Sequence, residues 1–198
     1  MMEEGGLPFR VSVTPLTAFA DHRGALTELF RESWGLVPAP TQWTFTTSKA
    51  GVLRGGHVHM QRNDLVITIQ GRMDIGLRDI RRGSPTEGLA TVVEQTGAEP
   101  TAVTIPRGVI HGFHFHEPSV TIVGFSVDFD PADDLETSWA DPELGIPWKA
   151  TSPILSDRDR DAPPLRDLLA RLEPHQPIGG PFPAAAGARA AHGGSSSG

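Results

Sequence analysis

Apolar and polar residues alternate through the middle of this chain with the period of two that a half-buried β-strand imposes. The runs "LVITIQ" (65–70), "MDIGLRD" (73–79), "TVVEQ" (91–95), "AVTIP" (102–106) and "VTIVGFSVDF" (120–129) alternate or carry successive β-branched residues, and each predicts a strand. Gly71, the Gly83-Ser84-Pro85 stretch, Gly97 and Pro106-Arg107-Gly108 separate them at hairpin spacing. Only "APPLRDLLARLE" (162–173) carries a helical period. There Leu165, Leu168, Leu169 and Leu172 fall at i, i+3, i+4 and i+7, and the prolines before them suit a helix start. Many short strands and one late helix predict an all-β sandwich or jelly roll with a short C-terminal helix.

The pattern fades at both ends. Residues 1–7 are read as a flexible N-terminus. From Pro174 the sequence "PHQPIGGPFPAAAGARAAHGGSSSG" offers almost nothing to bury, which predicts a disordered tail over 174–198 that leaves His175 and His192 outside any site. One folded body, 8–173, remains.

Charge and composition narrow the function. The formal net charge is −7 and the densest basic stretch is the short "RDIRRG" (78–83), so the basic footprint of a nucleic-acid binder is missing. No apolar run approaches the ~18 residues of a membrane span, and "MMEEGGLPFR" lacks a signal-peptide core. With no cysteine there is neither a disulfide nor thiolate chemistry, and the expectation is a cytoplasmic enzyme or small-molecule binder. The chain also contains no tyrosine.

Candidate chemistry concentrates in "GGHVHMQRND" (55–64). Residues i and i+2 of a strand share a face, so His57 and His59 are expected to look into one cavity. Asp64 follows, and His111 arrives in "PRGVIHG". The spacings Gly51-x5-His57-x-His59-x4-Asp64-x6-Gly71 and Pro106-x-Gly108-x-x-His111 resemble the two motifs of the cupin superfamily, with Asp64 where a glutamate is usual. Metal-binding cupins hold one ion with these positions, and three imidazoles with a carboxylate suit Fe, Mn, Ni, Cu or Zn. The bland alternative is a set of barrel-lining histidines. His114 and His116 alternate with Phe113 and Phe115 and are expected to face the other side of the sheet or solvent.

Six further blocks follow in order: "DHRGALTELF" (21–30), "VLRGGH" (52–57), "DIRRGSPTEG" (79–88), "IPRGVIHGF" (105–113), "WADPELGIPW" (139–148) and "LSDRD" (155–159). Together they resemble the dTDP-4-dehydrorhamnose 3,5-epimerase family over about residues 9–172. That family consists of metal-free cupin jelly rolls acting on nucleotide-linked 4-keto-6-deoxy sugars. The resemblance implies that His57 is the base that removes a proton beside the C4 ketone and that Asp159 orients it. It places His111 in the sugar pocket, Arg54 at the phosphates, and Arg23, Glu28 and Gln42 at the nucleotide, with Arg23 reaching from a neighbouring subunit. It also implies a homodimer with exchanged strands, for which "RVSVTPL" (10–16) is the candidate segment, and a role in deoxysugar or natural-product biosynthesis.

Three positions depart from the family pattern. Val123 and Phe129 stand where its tyrosines do, so Phe129 becomes a substrate contact and the proton donor must be a water, a substrate hydroxyl or another residue. Return of the proton to the same face would give a tautomerisation. Asp64 stands where a lysine supports the enolate, and His59 completes a metal motif that the family lacks. Trp43 replaces a small polar residue, either stacking on substrate or filling the core. Three readings stay open: an isomerase without a cofactor using His57 and Asp159; a metal cupin, oxygenase or lyase, using His57, His59, Asp64 and His111; and a non-catalytic binder of small molecules.

Overall fold

In a computed structural model, which describes residues 6–36 and 38–172, the alternating runs fold into two five-stranded antiparallel sheets packed face to face. The strands are β1 (Ser12–Pro15), β2 (Ala18–Asp21), β3 (Gly24–Thr27), β4 (Gln42–Ser48), β5 (Leu53–Val58), β6 (Asp64–Gln70), β7 (Arg72–Asp79), β8 (Ala90–Thr96), β9 (Thr101–Ile105), β10 (Val109–Phe115), β11 (Ser119–Phe125) and β12 (Leu135–Glu136). One sheet runs β1-β9-β6-β11-β4 and the other β12-β5-β10-β7-β8, while β2 and β3 form a separate hairpin. This is the expected all-β cupin jelly roll. The expectations for residues 1–5 and for 173–198, His175 and His192 among the latter, lie outside the described residues.

Alternation decides what each sheet buries. Met73, Ile75 and Leu77 of β7 point inward, meeting Val66, Val103, Ile105 and Phe115 in the core between the sheets. The intervening positions face outward, where a second apolar layer covers the β5-β10-β7 sheet. A Cβ on Gly76 would fall 2.4 Å from the Trp148 ring, so only glycine lets that indole lie against the sheet. Two short helices complete the chain, α1 (Asp157–Arg160) and α2 (Leu165–Leu172). Leu165, Leu168 and Leu172 of α2 join Val58, Ile80, Ile110 and Leu144 in the outer layer. The helix begins at the first leucine of its period, directly after two prolines, and the Asp141 carboxylate accepts from Leu165 N at 2.6 Å, satisfying a donor of its first turn.

Two expectations change, for the end of β11 and for Trp43. β11 ends at Phe125 and does not run to residue 129: the Phe129 N–H is taken by Gln42 Oε1 at 2.8 Å, and Asp130 caps a turn of 3-10 helix at Pro131–Asp133. β1, within the segment considered for exchange, lies beside β9, where Ser12 Oγ and Thr104 Oγ1 meet at 2.7 Å. The element standing clear of the body is the β2–β3 hairpin, with Phe19 60% and Leu26 63% exposed. Trp43 neither fills the core nor lines the cavity described below; it is 45% exposed on β4, edge-on to Phe30 at 5.9 Å between centroids.

Candidate active site

The adjoining strands β5 and β10 build the site, with the Cα atoms of His57 and His111 opposite each other. The register shifts just beyond, between His111 and Gly112, where the strands come very close. A Cβ on Gly55 would lie 2.6 Å from Gly112 Cα, and Gly55 has φ +121°, so glycine is required on both counts. A pocket of about 300 Å³ opens between the sheets, its wall including His57, His59, Arg62, Asp64, His111 and Asp159.

Asp159 reaches this wall through local chemistry in α1. Ile154 hydrogen-bonds back to β5, accepting from Leu53 N at 3.0 Å and donating to Gly51 O at 2.8 Å. Ser156 then caps α1: its Oγ accepts from Asp159 N at 3.1 Å and donates to Asp159 Oδ2 at 2.7 Å. The other carboxylate oxygen, Oδ1, lies 2.8 Å from His57 Nε2 and accepts a longer bond from Gly55 N at 3.4 Å. Burial by itself would raise the Asp159 pKa. The hydrogen bonds from His57 and Ser156, the charge of His57 and the Gly55 N–H outweigh it, so the carboxyl titrates below its ordinary 3.8. An ionised Asp159 accepts only, which puts the proton of neutral His57 on Nε2 and the lone pair on Nδ1.

A second cluster holds His59 and has a different character. His59 Nδ1 donates to Asp133 O at 3.0 Å, which leaves the Nε2 lone pair to accept from Arg62 Nη2 at 2.7 Å. Arg62 Nε donates to Asp64 Oδ1 at 3.0 Å, and His111 brings Nε2 to 3.3 Å from Asp64 Oδ2. Burial and the charge of His111 push the His59 pKa down from 6.5 to about 3, with Asp64 only partly opposing them, so this ring is neutral. Burial would raise Asp64; the hydrogen bond and charge of His111, with the charge of Arg62, hold it below 3.8.

The proposed metal set therefore divides. The ligand atoms of His59, Asp64 and His111 lie within 4.8 Å of one another, but His57 is not among them and belongs to Asp159. Nor do the three fit a metal as they stand. Arg62 already uses the His59 lone pair and an oxygen of Asp64, and its permanent charge would oppose a divalent ion. The concern that Asp64 leaves the site without a cation is answered in the same way.

The remaining candidates are distributed more widely. Arg54 lines the cavity and is anchored by Ser48 Oγ at 3.1 Å and Thr47 O at 3.3 Å. Arg23 and Glu28 lie in and beside the exposed hairpin, paired with Asp21 and Arg31, away from this cavity. Gln42 and Phe129 contact each other outside its wall, and Phe129 borders a neighbouring cavity of about 370 Å³. Val123 lines the main cavity with no group that could donate a proton. His114 and His116 face the other side, as alternation requires, near Asp74. Sequence reasoning missed Arg62, Ser156 and Arg158. The first stood in plain view between His59 and Asp64; the second is the serine of the same "LSDRD" block that supplies Asp159.

Comparison with known proteins adds an independent line. Residues 10–167 match the family model described as dTDP-4-dehydrorhamnose 3,5-epimerase. The chain is 31% identical over 142 residues to the spore coat polysaccharide biosynthesis protein SpsL of Bacillus subtilis, covering 70% of this chain and 94% of that protein. It is 30% identical over 164 residues to the dTDP-4-dehydrorhamnose 3,5-epimerase of Sinorhizobium fredii, covering 76% and 82%. Its fold superposes with a TM-score of 0.75 and 28% identity on the dTDP-6-deoxy-D-glucose-3,5-epimerase of Legionella pneumophila in complex with dTDP-4-keto-L-rhamnose, over 82% of this chain and 92% of that one.

Proposed function

The chain belongs to the dTDP-4-dehydrorhamnose 3,5-epimerase family, and from that premise we propose that it is an isomerase acting on a nucleotide-linked 4-keto-6-deoxy sugar in deoxysugar or natural-product biosynthesis. The observation that carries this reading is the His57 Nε2–Asp159 Oδ1 contact of 2.8 Å in the wall of the cavity. A ketone at C4 acidifies the protons on C3 and C5. His57 Nδ1 takes one of them, the C–H electron pair becomes a C=C bond, and the carbonyl pair moves onto oxygen. Asp159 holds the tautomer and stabilises the imidazolium that forms. Reprotonation on the opposite face inverts the carbon. With no tyrosine in the chain, that proton comes from water, a substrate hydroxyl or another side chain.

Three coarser expectations accompany this reading. The base–carboxylate pair needs no cofactor, and Arg62 takes the bonds a metal would need at His59 and Asp64. The exposed apolar hairpin favours a homodimer that brings Arg23 and Glu28 to a partner's nucleotide, and light scattering of the purified protein tests that. A cytoplasmic site suits a nucleotide-sugar substrate; among the described residues no helix is long and apolar enough to cross a membrane.

The deciding experiment is incubation with dTDP-4-keto-6-deoxyglucose in D2O. Deuterium at C3 or C5, lost in His57→Asn, supports the isomerase. Tight nucleotide-sugar binding without exchange would replace it with the non-catalytic binder.

A further inference from the structure

The cavity contains a buried cation with one edge left over. Arg62 is 6% exposed, and its guanidinium is fixed on three sides: Nε by Asp64, Nη2 by His59, and one face by the Phe125 ring, 4.1 Å from Cζ to centroid. Nη2 also lies 3.9 Å from Asp134 Oδ1. Nη1 is buried and has no hydrogen-bond partner. The other arginines of this wall differ. Arg54 is bonded to Ser48 and Thr47 and is only half-buried, while exposed Arg158 is paired with Asp134 and Glu136. A charged N–H removed from water and left unpaired is strongly unfavourable, so a wall that holds Nε, Nη2 and one face of the group leaves Nη1 to receive an acceptor.

We propose that Arg62 Nη1 is the oxyanion-binding donor of this site, taking the oxygen atom on which negative charge collects when His57 removes the adjacent proton. This rests on the reading of His57 and Asp159 given above. The electron balance needs no further reagent: the C–H pair goes to C=C, the carbonyl pair to oxygen, and the proton to His57. The surroundings are arranged for this task. His59 is a neutral acceptor, so it orients Nη2 without adding charge, and Asp64 anchors the far side of the group. A preorganised, desolvated donor aimed at developing charge acts most strongly in the transition state.

The test pairs a catalytic with a binding readout. Arg62→Gln should lower deuterium exchange from D2O by about 10²- to 10³-fold while dTDP affinity changes by less than about threefold, and Arg62→Lys should restore part of the rate. Exchange at the wild-type rate in folded Arg62→Gln would overturn the proposal. The second measurement needs no turnover: formate is titrated into protein with 15N-labelled arginine, following the guanidinium resonances of Arg62. Saturable perturbation of the Arg62 signals, with those of the other arginines unmoved, supports an oxyanion site even if the wild type exchanges nothing, which would instead sink the isomerase. No saturable perturbation overturns the oxyanion site. Should Arg62→Gln fail to fold because Asp64 is left unpaired, Arg62→Gln/Asp64→Asn removes both charges and carries the same exchange and dTDP-affinity readouts.

Discussion

His57 and His59 stand two residues apart and line the same cavity, yet they have opposite characters. The His57 side chain is 21% exposed, faces an ionised carboxylate, and keeps a free nitrogen. The His59 side chain is 3% exposed, with both nitrogens bonded and its pKa driven down to about 3. One environment sets an imidazole against a carboxylate; the other uses the same side chain to orient a guanidinium. The residue type and the strand face are the same in both, so the difference comes entirely from the partners that the fold delivers.

The contrast breaks most sharply at the base. His57→Asn should reduce exchange by about 10²- to 10⁴-fold, whereas the corresponding change in His59, whose lone pair is held by Arg62, should leave a rate reduced by only about tenfold. Equal losses would erase the distinction. Asp159→Asn should come next, at up to about 10⁴-fold, because an amide can present a donor to His57 and favour the wrong tautomer. Circular dichroism on each variant separates these losses from unfolding.

A gain of binding sharpens the same contrast. Arg62→Ala frees the His59 lone pair and one oxygen of Asp64 beside His111, and should create affinity for Zn²⁺ or Co²⁺ that the wild type lacks, measured by dialysis and elemental analysis. Equal metal content in the two proteins would show that the guanidinium does not hold the place of a cation.

A smaller effect lies in the pH dependence of stability. His59 has a pKa of about 3 when folded, against 6.5 for an unperturbed imidazole. Between those values the unfolded chain binds a proton that the native ring refuses, so stability rises with pH across this window and is lost as pH falls. The slope contributed is at most ~1.4 kcal/mol per pH unit. Denaturant titrations from pH 4 to 6.5 should show it, and His59→Asn should flatten it. Asp159 works in the same direction lower down: its carboxyl lies below 3.8, so its contribution is complete above that value and disappears as pH drops through the folded value. The smallest effect belongs to His114→Ala/His116→Ala, which should change exchange by less than about threefold because these residues occupy the far face of β10.

Several features were open to direct reading because they depend on near neighbours. Alternation located β6 to β9 within a residue or two and placed His57 and His59 on the cavity side. It also put His114 and His116 opposite Phe113 and Phe115, and the leucine period found α2. Where a local signal met a competing bond it failed, as in residues 126–129: they alternate like a strand, but Gln42 claims the Phe129 N–H. The metal motif was only partly legible for a related reason. Its spacing brings three of the four donors together, but spacing carries no information on an arginine side chain folding back between them.

By itself, then, the sequence determined the class of fold, the strands that carry the chemistry and the histidines that share a cavity, all consequences of a side-chain period of two. Only the tertiary structure decided which histidine meets a carboxylate and which a guanidinium. Asp159 lies 102 residues from His57, and the Asp133 carbonyl lies 74 residues from His59; α1 brings the one and the turn before β12 the other. A histidine's proton affinity is set by the charges and donors within a few ångströms of its ring, and those neighbours come from parts of the chain that meet only when the two sheets close.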